Sequence, residues 1–168
     1  GGLIARAVKF AHSLTQLDVR ETPIDDEGFR TLGELLLADD SPCKLGYIRC
    51  DAFELRPDQT DISLGEPRPH MQPGAFSLLA GVVRYNTTLT SLGLANAGID
   101  AEGAEHLATA IGSNESLQEV DLSGNQLLRV AGASEDDHTG VHALTTALQM
   151  NETLTSVTLD DGATLPVR

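Results

Sequence analysis

Leu89-Thr90-Ser91-Leu92-Gly93-Leu94-Ala95-Asn96-Ala97-Gly98-Ile99-Asp100, continued by Ala101-Glu102-Gly103-Ala104-Glu105-His106-Leu107 and running to Asn114, carries two hydrophobic periods in succession. Leu92 and Leu94 stand two apart after Leu89, which turns one face of an extended strand inward. From Gly103 through Leu107 to Ile111 the spacing becomes four, one helical turn. Ile99 lies between the two and seals the bend. The stretch reads as one strand followed by one helix, closed at Asn114.

Laying Leu89 over other leucines finds the same unit from one end of the chain to the other. Units start at Leu14, Leu45, Leu89, Leu117 and Leu154, at spacings of 31, 44, 28 and 37 residues, and the shortest is the unadorned form. Three and five places after each start stand Leu17 and Val19, Ile48 and Cys50, Leu92 and Leu94, Val120 and Leu122, Val157 and Leu159. Ile24, Leu55, Ile99 and Leu127 repeat the seal, while Gly28, Gly74, Gly103 and Gly140 each precede a leucine by four. Recurrence in phase marks a solenoid, whose core is buried between neighbouring units.

This pattern, Leu-x-x-Leu-x-Leu followed by a Gly-to-Leu helix, resembles the leucine-rich-repeat family. The match is to the ribonuclease-inhibitor-like class, found also in NOD-like receptors and RanGAP-like proteins. The resemblance covers nearly the whole chain. It implies an α/β horseshoe fragment with a parallel β-sheet on the concave face and helices on the convex face. The family's turn residue, Asn or Cys, falls here on Thr22, Phe53, Ala97, Asn125 and Gly162, so only Asn125 keeps the Asn form. The function implied is a protein–protein interaction scaffold. A RanGAP-like regulator of a small GTPase and a structural subunit of a large assembly are the alternatives.

The expected organisation is a single domain over residues 1–168. Residues 1–13 form the helix of a truncated repeat, and five units follow. Insertions are expected at about 56–73, where four of the seven prolines lie, and at about 128–139. The last unit keeps only its strand and a tail. Without polar capping repeats, both ends are expected to look cut. Asn86, Asn114 and Asn151 begin glycosylation sequons, but each stands three residues before a unit start and is expected to end a helix by adopting a left-handed backbone.

Charge narrows the partner. The 168 residues carry 25 acidic and 11 basic side chains, a formal net charge of −14. That disfavours nucleic acid and anionic membranes and suits a protein partner with a basic or neutral surface. No run reaches the roughly 20 apolar residues of a membrane span. Two cysteines, Cys43 and Cys50, argue against a disulfide framework, and a reducing, cytoplasmic setting is expected. His138 and His142 with Asp136 or Asp137 fall short of the three or four convergent ligands a metal needs. No phosphate loop, nucleophile elbow or small-molecule site is legible, so no cofactor and no catalysis are expected.

Candidate contact residues follow from the strand period, because positions alternating with the inward leucines face outward on the concave side. These are Gln16, Asp18 and Arg20, then Tyr47, Arg49 and Asp51, then Glu119, Asp121 and Asp160. Tyr and Arg are enriched at binding hot spots. Arg49 and Arg20 could equally pair with Asp18 and Asp51 across adjacent strands. Both insertions leave the solenoid on one edge, so Arg68, His70 and Met71 from the first and Asp136 and Asp137 from the second are expected to form a supplementary surface.

Overall fold

The computed structural model describes residues 2–65, 71–127, 138–159 and 164–166. Its helices are α1 (Gly2–Val8), α2 (Asp26–Leu37), α3 (Pro73–Tyr85), α4 (Ala101–Ser113) and α5 (Thr139–Met150). Its strands are β1 (Gln16–Asp18), β2 (Tyr47–Arg49), β3 (Glu54–Leu55), β4 (Asp61–Ser63), β5 (Ser91–Gly93), β6 (Glu119–Asp121), β7 (Ser156–Thr158) and β8 (Thr164–Pro166). Strands β4 to β7 pair in parallel with equivalent positions opposite one another, so Ile62, Leu92, Val120 and Val157 make one buried row. Leu64, Leu94 and Leu122 make the next. Helices α4 and α5 lie behind this sheet and bury Leu107, Ile111, Leu144 and Ala147. The fold is the α/β strand–helix solenoid.

Residues 56–65, read from the sequence as the start of an insertion, carry a strand of the solenoid. After β2 the chain turns back and runs antiparallel as β3, with Ile48 opposite Leu55 and Arg49 opposite Glu54. It turns again where the Gln59 N–H donates to the Arg56 carbonyl at 3.1 Å, with Pro57 in the second place of the turn, where its fixed φ fits. The chain then enters β4, parallel to β5. Ile62 and Leu64 are therefore the inward residues of a repeat strand, with Gln59 where other units have their first leucine. The unit that starts at Leu45 has no helix of its own, and β4 with α3 forms the extra repeat. The hydrogen-bonded sheet breaks between β3 and β4.

On the other layer nothing is interrupted. Helix α2 packs directly on α3, so closely that a Cβ on Gly33 would lie 2.2 Å from the Ser77 carbonyl carbon. Asp25 caps α2 by accepting from the Gly28 N–H at 3.0 Å, and Asp100 caps α4 by accepting from Gly103 at 3.0 Å. Gln72, ahead of α3, makes no side-chain cap bond. Instead Asp26 of α2 reaches across and accepts from the Gly74 N–H at 2.8 Å. Every residue from Gly74 to Val83 is buried, as a helix apolar on all sides requires. Arg30 of α2 ion-pairs with Glu102 of α4.

Asn86, Asn114 and Asn151 do end helices α3, α4 and α5, but by a different device from the one expected. Their φ values of −70°, −82° and −77° are extended rather than left-handed. Each side chain does the capping. The Asn114 Oδ1 accepts from the N–H groups of Ser116 and Leu117 at 2.8 and 2.7 Å, while its Nδ2 donates to the carbonyls of Val83 and Asn86 at 2.7 and 2.9 Å. Asn151 repeats this toward Ile111 and Asn114, and Asn86 reaches Gly46. All three are at most 7% exposed, and the nitrogen a glycan would occupy is already bonded.

The turns out of the strands are more regular than the sequence suggests. Glu21, Asn96 and Gly124 hold the same place in their units, and all have positive φ, from +53° to +68°. Asn125 then donates to Leu94 and Leu122 and accepts from Gly98 and Ile99. At one end β1 is an edge, so Leu14 and Leu17 are only half-buried. At the other the tail returns as β8, antiparallel to β7, with Leu165 opposite Val157.

Candidate protein-binding face

The outward positions of the strands form two chemically different fields. On β1 and β2 the register sets Gln16 beside Tyr47 and Asp18 beside Arg49. Arg20 holds Asp18 at 2.7 Å, Arg49 stands 3.5 Å from Asp18 and 3.0 Å from Glu54, and Arg56 lies 3.3 Å from both Glu54 and Asp58. The result is a line of alternating charges across three strands. The Tyr47 hydroxyl is 3.0 Å from the Thr87 Oγ1. These residues border a shallow depression of about 270 Å³ walled by Tyr47, Arg49, Arg56 and Pro57.

The pairing expected from sequence is half right. Arg49 and Arg20 do share Asp18, but Asp51 takes no arginine in this network. Its Oδ1 accepts from the Glu21 N–H at 3.3 Å. Hydrogen bonds from the Arg20 side chain, then from its backbone N–H, hold the Asp18 carboxyl down at about 2 against an ordinary 3.8. A carboxyl depressed on folding stabilises the native state above its unfolded pKa, and the contribution is lost as the pH falls through the folded one. We expect carbon NMR of the Asp18 carboxyl to titrate near 2 and Asp18→Asn to lose the acid-side decline between about 4 and 2. A midpoint near 3.8 would mean that Arg20 is not engaged.

From β4 onward the field is acidic. Asp61, Ser91, Glu119 and Ser156 form one row, and Ser63, Gly93, Asp121 and Thr158 the next. Asp121 accepts from the Ser123 N–H and hydroxyl, which leaves its charge uncompensated. No Lys or Arg occurs between Arg84 and Arg129. Gln16, Asp18, Arg20, Asp51 and Glu119 are exposed, and Tyr47, Arg49 and Asp121 half-buried. Met71 is also half-buried, packed against the core in a slot with Phe76 and His106 at the ends of α3 and α4. In that slot the Ser77 hydroxyl meets the His106 Nδ1 at 3.0 Å. Arg68, His70, Asp136, Asp137 and Asp160 lie outside the described residues, as does most of the expected supplementary surface.

Glu54, Pro57, Asp61 and Ser63 belong to this face and were not picked out from the sequence, while Arg56 reads from the sequence with the loop surface of Arg68, His70 and Met71. Their signal was Ile62 and Leu64, spaced like Leu92 and Leu94 but preceded by Gln59 instead of leucine. Away from the face, burial pushes the Cys43 and Cys50 thiols up. Cys50 donates to the Phe53 carbonyl at 3.2 Å and fills the inward strand position expected of it. No helix among the described residues is long and apolar enough to cross a membrane.

Comparison with known proteins agrees with this geometry. The family described as Leucine Rich repeat matches residues 10–33, 85–108 and 113–135. The chain is 27% identical over 140 residues to the ribonuclease inhibitor of Mus musculus, a match covering 75% of this chain and 30% of that protein. It thus spans under a third of that relative's length. Among solved structures, Leiomodin-1 Actin-Binding Site 2 superposes with a TM-score of 0.53 at 20% identity, covering 62% of this chain and 54% of that one. The tropomodulin C-terminal domain of Caenorhabditis elegans gives a TM-score of 0.30 at 14% identity, covering 96% and 83%.

Proposed function

We propose that this chain, whose repeats and fold match leucine-rich-repeat proteins of the ribonuclease-inhibitor-like class, is a binding module whose sheet face takes a protein partner with a basic surface. The observation that carries the reading is the uncompensated acidity of β4 to β6. Asp61, Glu119 and Asp121 share a face to which no described strand from β4 on contributes an outward Lys or Arg. Such a field raises the encounter rate of a positively charged partner and repels polyanions. The neutral, ion-paired half with Tyr47 and Arg49 supplies contact residues of the type that dominate interface energetics. The action is binding without a covalent step, in a reducing compartment that keeps Cys43 and Cys50 as thiols. The leiomodin domain is named as an actin-binding site of leiomodin; at 20% identity the likeness supports the fold and leaves this chain's partner to chemistry.

The test is cross-linking in cell extract followed by mass spectrometry, run on the wild type and two variants of equal charge change. Glu119→Lys on the sheet face is expected to lose the partner, and Glu105→Lys on helix α4 to keep it. Capture should also weaken steeply with salt, since exposed charges are screened over about 8 Å at physiological ionic strength. Equal capture by both variants would end the reading.

A further inference from the structure

The depression on the first half of the face is more specific than the field around it. Arg49 Nε and Arg56 Nη1 lie 3.0 and 3.3 Å from the same oxygen, Glu54 Oε1. A carboxylate meets a guanidinium best through two parallel bonds, whereas here Arg56 donates a single bond to Glu54 Oε1 and Arg49 offers it only its charge. The Arg49 Nε–H is buried and has no acceptor within hydrogen-bonding geometry. Arg49 also contacts Asp18 through Nη1, at 3.5 Å, and Arg56 contacts Asp58 through Nε, at 3.3 Å. Neither Nη2 group bonds any described residue. Two guanidiniums with spare donors therefore border the same depression, which Asp18 also lines and Leu17, Ile48, Leu55 and Pro57 floor with apolar surface.

We propose that this depression receives one carboxylate side chain from a loop of the protein partner, bound through the Nη2 groups of Arg49 and Arg56 beside Glu54. The proposal rests on the reading of the sheet face as a protein-binding surface and adds what that surface selects. A volume of about 270 Å³ admits one side chain and its neighbours, not a folded element. The occupant has to be a lone acid on a basic or neutral surface, because Asp61, Glu119 and Asp121 on the same face, in a chain of net charge −14, oppose any extended polyanion. The partner thus presents an acidic residue set among basic ones. Its acid meets β2 and the 56–59 turn while its bases meet β5 and β6.

The experiment uses the full chain and short probes. A peptide acetyl-Lys-Gly-Glu-Gly-Lys-amide is titrated against its Gln counterpart while the arginine Nε–Hε signals are followed by NMR. The Glu peptide is expected to shift the Arg49 and Arg56 signals and bind about tenfold or more tighter than the Gln peptide. Arg56→Gln should abolish that difference, and Arg6→Gln, at an exposed position on helix α1, should keep it, with thermal melts showing that both variants fold. Equal responses to the Glu and Gln peptides, or shifts at other arginines only, overturn the proposal. A phosphoserine peptide binding far more tightly than the Glu peptide also overturns it, in favour of a phosphate site. Failure of the wider reading looks different: Glu119→Lys would keep its partner while the Glu peptide still moved Arg49 and Arg56.

Discussion

Asn114→Ala is expected to lower the unfolding free energy by about 3–5 kcal/mol, more than its modest loss of volume suggests. The side chain is 3% exposed and saturates four backbone groups, the carbonyls of Val83 and Asn86 and the N–H groups of Ser116 and Leu117. A buried polar group left without a partner costs about 1–3 kcal/mol. The Ser116 hydroxyl also reaches the Asn86 carbonyl, at 3.2 Å, so that loss is partly covered and the sum stays below the full total. Asn114→Asp separates hydrogen bonding from volume. It keeps both acceptor bonds and loses both donors, setting a carboxylate against two carbonyl oxygens. That acid is favoured protonated in the fold, so the variant recovers stability as the pH falls from its raised folded pKa toward the ordinary carboxylate value, and gains nothing further below it. Urea unfolding at neutral and acid pH reads both effects. A loss below about 1 kcal/mol for the alanine variant would mean that water replaces the amide at no cost.

Leu92→Ala should cost about 2–5 kcal/mol, the range for deleting a leucine side chain from a packed interior. Leu92 is 0% exposed, with Ile62 and Val120 opposite it on the neighbouring strands. Because its partners belong to the units before and after, the cavity loosens both junctions at once. Leu17→Ala is the control, since Leu17 holds the same place on edge strand β1 and is already half-exposed. It should cost about 1 kcal/mol or less by the area it buries. Equal losses at the two sites would mean that the inward row is not one continuous core.

What could be read from the chain was whatever repeats. Leucine spacing gave the parallel ladder through β5, β6 and β7 and the helices behind it, because one inward residue in two and one helical turn in four are local rules. The exception is the unit headed by Gln59. A polar residue in the first place hid a strand that Ile62 and Leu64 still specify, and the prolines around it argued for a loop. β4 needs only three residues, Pro57 helps make the turn ahead of it, and Pro73 stands first in α3, where a missing N–H costs nothing. The sequence marked the three asparagines as helix ends without showing that each bonds the unit before it, since residues 28 to 40 positions away are not visible in a local pattern. On the face, Tyr47 and Arg49 were legible from strand alternation. The bracketing of Glu54 was not, because it depends on the antiparallel return of β3.

That return also governs how the molecule bends. A strand takes up about 4.7–4.9 Å of width and a packed helix about 8–10 Å, so a solenoid with one strand per helix curls toward its strands. Between α2 and α3 a single helix step is matched by three strand steps, from β2 to β5. Two of those steps are hydrogen-bonded, about 10 Å of strand width, and the third crosses the break between β3 and β4, so the strand layer there is wider than the one helix step of at most about 10 Å behind it. Gly46, packed against the Tyr85 carbonyl and bonded by Asn86, keeps the lower layer drawn together, so the extra width has to rise outward. The strand face is therefore divided at this point into two hydrogen-bonded fields, each with its own edge, instead of running on as one ladder.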